Sequence, residues 1–166
     1  MLPQIKKAVA WFQKAVHDAK SGYSSPVSDL KGQLLLMTYN DPKYKDTLPY
    51  YDENPLIFVI DVTPKHIFGI NVHYLHPFQR KILINNLMDY VVKDADRVKL
   101  DFSYSDSLDF NVSNHVKVCL KKYEISRIKN WMIISPFDWS NILYLPIYKF
   151  QKASVVQVWK ESREKL

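Results

Sequence analysis

Apolar and polar residues alternate with a helical period at the start of the chain. In PQIKKAVAWFQKAVHDAK, residues 3–20, the side chains Ile5, Val9, Phe12, Val16 and Ala19 recur every three or four positions, while Lys6, Lys7, Lys14 and Lys20 fall elsewhere. That spacing predicts an amphipathic helix with Pro3 in its first turn. The next stretch, SGYSSPVSDLKG, gathers Gly, Ser and Pro and predicts an irregular connection. The period then shortens. QLLLMTY and PLIFVIDV read as buried strands separated by a loop carrying Pro42, Pro49 and Pro55. TPKH makes a tight connection to a third strand, IFGINVHYL, in which Phe68, Ile70 and Val72 alternate with Gly69, Asn71 and His73. A glycine inside a strand, Gly69, points to a bulge or a close backbone approach.

Beyond Pro77 the helical period returns. Phe78, Ile82, Leu83, Leu87, Met88 and Val91 predict a helix to about Val92 with a wide apolar face. Residues 93–114 read as loop with a short strand. Ser113 or Asn114 then caps a further helix with Val116, Cys119, Leu120 and Tyr123 on one stripe and Lys117, Lys121 and Lys122 off it. NWMIIS predicts another buried strand, Asp138 caps a short helical turn that Pro146 stops, and Ser154 with Gln157 opens a last helix turning Val155, Val158 and Trp159 inward. The expected fold is α+β and one domain over residues 1–166, with a helical arm at 3–20, a β-rich core at about 32–75 and a helical and mixed region at 77–166. A strand, a long loop and a hairpin is how a small Src-homology-3-like β-barrel begins. The expectation is such a barrel, or an antiparallel sheet, decorated by N-terminal, central and C-terminal helices.

Composition narrows the class. An apolar content of 47% and an aromatic content of 14% exclude intrinsic disorder. No apolar run approaches the ~18 residues that cross a bilayer, so no membrane partner is expected. Without a charged-then-apolar leader, the chain is expected to be made and used inside a cell. Cys119 is the single cysteine, so no internal disulfide can form. The net charge is +6, and residues 117–166 hold ten Lys and Arg against four Asp and Glu, so the basicity resides there. Lys117, Lys121, Lys122, Arg127 and Lys129 are therefore candidate contacts to DNA phosphates or to an acidic partner protein, the competing reading being a solvated surface.

Only Gly22, Gly32 and Gly69 are present, too far apart for a phosphate loop or a dinucleotide fingerprint. His66, His73, His76 and Asp61 could serve as zinc ligands, but a hydrogen-bonded polar position at a strand–helix junction fits better. Asp41, Asp46, Asp52, Glu53 and Asp61 could supply a magnesium nuclease, but loop carboxylates are expected for turn hydrogen bonds alone. The expectation is no catalytic centre, no metal and no cofactor.

One block carries a resemblance. A strand after a glycine leads to Tyr39, Pro42 and Lys43, then to Leu48, Pro49, Tyr50, Tyr51 and Asp52, to Pro55 and Leu56, and to Gly69, Asn71, His73, Tyr74 and Leu75. These residues resemble small virion proteins of contractile-tailed bacteriophages, described as DNA end protectors or as virion structural proteins. A weaker likeness runs through Trp139, Leu145, Pro146, Phe150 and Trp159, for about two thirds of the chain in all. The resemblance implies a non-enzymatic component of the particle, at its neck or tail or close to packaged DNA. Its partners would be other virion proteins in a symmetric, multi-copy assembly, and DNA. A protector of DNA ends acting around packaging and a small-barrel nuclease are the alternatives. Read physically, Pro49 stiffens the loop, Tyr50 and Tyr51 bury aromatic area, and Asp52 caps backbone amides at its exit, which pins the loop to its own fold.

Overall fold

A computed structural model describes residues 3–20, 30–43, 52–75, 77–87, 91–94, 97–100 and 119–145. The architecture is α+β. Helix α1 spans Pro3–Lys20, and strands β1 (Leu34–Tyr39), β2 (Leu56–Val62) and β3 (His66–Asn71) follow. Helix α2 covers Pro77–Leu87, β4 (Val91–Asp94) and β5 (Arg97–Leu100) form a separate hairpin, and β6 (Leu120–Glu124) and β7 (Ile128–Ile134) complete the main sheet. That sheet is antiparallel throughout, in the order β6-β3-β2-β1-β7, and its two edge strands are joined by the single 3₁₀ turn Ile125–Arg127.

This connection forces a curl. Four strand spacings in a flat sheet would separate the edges by about 19 Å, whereas the chain from Glu124 to Ile128 can span at most roughly 14 Å. The sheet bends accordingly. Tyr39 of β1 meets Tyr123 of β6 edge-to-face, with ring centroids 5.0 Å apart, although β2 and β3 lie between their strands. The Tyr39 hydroxyl also accepts from the Glu124 amide, and the Asn40 amide donates to the Arg127 carbonyl. No ladder joins β6 to β7 among the described residues, so of the two expected forms the structure has the antiparallel sheet and not the closed barrel.

Curling buries both faces of the central strands, which explains why QLLLM and PLIFVI are unbroken apolar runs instead of alternating ones. Leu34, Leu36, Leu56, Phe58, Ile60 and Ile70 face one core, which α1 and the final 3₁₀ helix Pro136–Leu143 cover. Leu35, Met37, Ile57, Val59 and Ile67 face the other, with Tyr123 and Ile128. Helix α1 buries Ala8, Phe12, Ala15 and Ala19, so Phe12 and Ala19 lie on the stripe its spacing suggested, while Val9 and Val16 give way to the neighbouring Ala8 and Ala15. Three alanines on this stripe let the backbone approach β1 and β7 closely. On the far side of that core Phe58 packs edge-to-face on Trp139, whose indole donates to the Ile134 carbonyl.

Gly69 marks a real irregularity. Val59 pairs with Gly69 but Asp61 pairs with Phe68, leaving Ile60 as the extra residue of a bulge. A Cβ on Gly69 would stand 2.8 Å from the Phe58 carbonyl oxygen. Gly32, just before β1, adopts the left-handed φ of 78°.

Several elements depart from the expectations. The helix expected around 114–123 is replaced, where described, by β6. Leu120 packs into one core and Tyr123 into the other, and strand alternation serves two opposed cores where a helical stripe serves one. The third strand stops at Asn71, and Val72–Tyr74 form a 3₁₀ turn. Helix α2 ends at Leu87, because β-branched Val91 and Val92 enter the β4–β5 hairpin. Leu83 is buried as expected, but Phe78 and Ile82 are exposed, and Arg80 and Ile84 turn inward instead. The 3₁₀ helix after β7 is capped by Ser135, with Pro136 behind it, in place of Asp138. The expected helix opened by Ser154 lies outside the described residues.

Gly69→Ala should lower stability by about 1–3 kcal/mol, the usual range for overpacking, since the atom it meets is backbone. A reduced urea midpoint at unchanged slope is the expected reading.

Candidate nucleic-acid interface and the polar network behind it

The described half of the central block converges on one buried carboxylate. Asp52 leaves the loop just before β2, and its Oδ1 accepts from the Asn54 amide at 3.2 Å, an Asx turn. Its Oδ2 accepts from Asn71 Nδ2 at 3.1 Å and from His73 Nδ1 at 2.6 Å. Asn71 Nδ2 also donates to the Tyr123 hydroxyl at 3.0 Å, and Asn71 Oδ1 caps the following 3₁₀ turn by accepting from the His73 amide at 2.9 Å. Phe12 of α1 lies edge-on to the His73 ring. Asn71 and His73 are wholly inaccessible to solvent. The network joins the loop exit, the end of β3, strand β6 and helix α1.

Each described residue of the Gly-x-Asn-x-His-Tyr-Leu segment has a distinct task here. Gly69 permits close strand contact, Asn71 and His73 bind Asp52, Tyr74 lies under the Lys121 ammonium at 4.6 Å, and Leu75 is buried. The Leu75 carbonyl accepts from Arg80, which sequence reasoning missed. Buried Arg80 reaches from α2 to the carbonyls of Val72 and Leu75 through Nε, and to those of Ile142 and Leu145 through Nη1. It ties the turn after β3 to the segment after the final 3₁₀ helix. Burial pushes its pKa down to about 10, which leaves the guanidinium charged at neutral pH. Nothing in the helical spacing marks Arg80, because one arginine among polar helix positions looks solvent-facing. Leu48, Pro49, Tyr50 and Tyr51 lie outside the described residues.

Of the candidate cationic contacts, Lys117 is also outside the described residues. Lys121 and Lys122 lie on edge strand β6, Arg127 in the connecting turn and Lys129 on β7. They do not share one helix face. Lys122, Arg127 and Lys129 are exposed, and Arg127 makes only a 3.6 Å surface pair with Glu124. Lys121 and Lys122 border an open groove of about 340 Å³ with Ile60, Asp61, Phe68, Gly69 and Leu120. Strand β6 thus bears cations while Tyr123 anchors it to the buried network.

The described members of the candidate metal sets do not come together. Among the described residues no three His, Cys, Asp or Glu side chains come together as a metal site requires. Asp52 is engaged with His73 and Asn71, Asp61 accepts from the Val62 amide, and His76 and Asp46 lie outside the described residues. Cys119 is buried beside β6, and burial pushes its thiol up to about 12. Among the described residues no helix is long and apolar enough to cross a membrane.

Fold and site together define a basic α+β protein built on a curled antiparallel sheet, with cations displayed along one sheet edge. The chain belongs to the bacteriophage family described as Phage T4 terminal DNA protecting protein, which matches it over residues 3–162. No curated protein and no solved structure matches it.

Asp52→Ala should cost about 3 kcal/mol or more, because each buried donor left without an acceptor costs roughly 1–3 kcal/mol. Tyr123→Phe, which removes one hydroxyl, should cost less, and chemical denaturation of both variants checks the order. Cys119 should resist a disulfide reagent at pH 8 until the protein unfolds. Its raised folded-state pKa contributes nothing to pH dependence below about pH 8.5 and lowers stability as pH rises above it, where the unfolded thiol ionises first. Cys119→Ala should remove that decline.

Proposed function

We propose that this protein is a non-enzymatic bacteriophage protein that binds the ends of linear DNA and shields them. The observation that carries the reading is the family match across residues 3–162, under a description that names protection of terminal DNA. Charge supports it. The chain carries +6 overall, and Lys121, Lys122, Arg127 and Lys129 cluster in sequence around the β6–β7 connection. Such cations neutralise phosphates and release counterions, giving affinity without base readout. A DNA end inside a phage particle lies where a neck or tail protein would meet it. We extend the reading to a virion component with other particle proteins as neighbours in a multi-copy assembly. The meander order and the 3₁₀ link between β6 and β7 further fit a Src-homology-3-like layout lacking its last closure.

Purified protein should protect linear duplex from an exonuclease in proportion to its concentration and leave the DNA intact on long incubation with Mg²⁺. If four cations contact phosphates, the slope of log affinity against log salt should be about −3 to −4. Binding indifferent to salt would sink the DNA reading. Cleavage that Asp52→Ala or His73→Ala abolishes would replace it with the nuclease alternative.

A further inference from the structure

A protein that distinguishes a DNA end from the interior of a duplex needs something besides cations. Interior base pairs are stacked on both faces and offer phosphates everywhere. An end alone presents an uncovered base face and a nucleotide able to fray. Recognition of an end therefore calls for an apolar or aromatic surface beside positive charge, so that a base can stack while its phosphates are neutralised.

The groove along β3 and β6 combines these features. Helix α1 packs on β1 and β7, at the opposite side of the sheet. On the β3–β6 side, Phe68 and Leu120 remain only partly buried at the margin of the same core. Asp61, Phe68 and Lys122 stand in one cross-strand row, and Gly69 pairs with Lys121 in the next. The Lys121 ammonium is held over the Tyr74 ring. The volume of about 340 Å³ lies at the lower end of the range of pockets that hold small organic ligands, roughly 300–1,000 Å³, as one nucleotide requires. Charge orients the occupant: Asp61 repels phosphate on the β2 side, and Lys121 and Lys122 attract it on the β6 side.

We infer that this groove seats the terminal nucleotide of a DNA end, its base against Phe68 and Leu120 and its phosphates against Lys121 and Lys122. The inference rests on the DNA-end reading above and adds the place and manner of contact. The groove follows from the fold. The strand order places β6 and its lysines at the sheet edge, and the buried Asn71–Tyr123 hydrogen bond holds β6 there.

The full chain would be titrated with a duplex carrying 2-aminopurine at its terminal position, and with the same duplex closed at both ends by hairpin loops. The wild type should change the 2-aminopurine fluorescence and prefer the open duplex. Phe68→Ala should lose about tenfold of that preference, as expected for one base–aromatic contact. Phe68→Leu, which keeps apolar volume, should lose the fluorescence change even if Phe68→Ala folds poorly. Exposed Lys122→Gln should weaken binding to both duplexes and make the salt slope shallower by about 0.9. Undiminished end preference and fluorescence change in Phe68→Leu and Lys122→Gln, with native melting curves, would overturn the groove while leaving end binding intact. Equal wild-type affinity for open and closed duplexes would overturn the end-binding reading itself, and the groove with it.

Discussion

The Asp52 carboxylate is the constraint on which the rest of this structure depends. It lies almost wholly out of solvent, where an unpartnered carboxylate is very costly, and it is satisfied by three donors, from Asn54, Asn71 and His73. Those donors fix the loop exit, the end of β3 and the first turn beyond it. Through Asn71 the same network reaches the Tyr123 hydroxyl and orients edge strand β6. Apolar burial alone tolerates small slips in strand register. A buried carboxylate whose donors must all arrive together does not.

Arg80 plays the complementary part on the other side of the turn. Backbone carbonyls of Val72, Leu75, Ile142 and Leu145 converge on one guanidinium, which joins segments more than sixty residues apart. The Val72 carbonyl also accepts from the Leu75 amide closing its own turn, and a buried arginine supplies several further donors at once. Asp52 and Arg80 thus bracket the Val72–Tyr74 turn from opposite charges without contacting each other as an ion pair. Arg80 is matched by backbone carbonyls, and Asp52 by the Asn54 amide and the Asn71 and His73 side chains.

The fold links stability to the proposed contact with DNA. Strand β6 is pinned from within by Tyr123 and displays Lys121 and Lys122 beside Phe68 and Leu120. A rigid strand holds a stacking surface and its cations at constant spacing, and ordering them on binding then costs little entropy. The proposed function draws on the edge that the strand order gives to β6.

Much of this was legible in the residues. Helix α1, strands β1 and β2, the tight Thr63–Lys65 connection and the irregularity at Gly69 follow from local period and backbone sterics, which neighbouring residues settle among themselves. The motif residues Asp52, Asn71 and His73 could be singled out, and Asp52 could be assigned a capping role, because Asx turns are local. What the sequence could not determine was decided by contacts distant in the chain. Cys119, Leu120 and Tyr123 have helical spacing, yet Leu120–Glu124 is a strand because β3 offers an unpaired edge and two cores lie on opposite sides of it. Arg80 turns inward, and Phe78 outward, because the carbonyls of Ile142 and Leu145, distant in the chain, converge with those of Val72 and Leu75 on its guanidinium. The lysines gather at a sheet edge rather than along a helix for the same reason. Local sequence sets which conformations each segment can adopt, and tertiary pairing of buried backbone and charge selects among them.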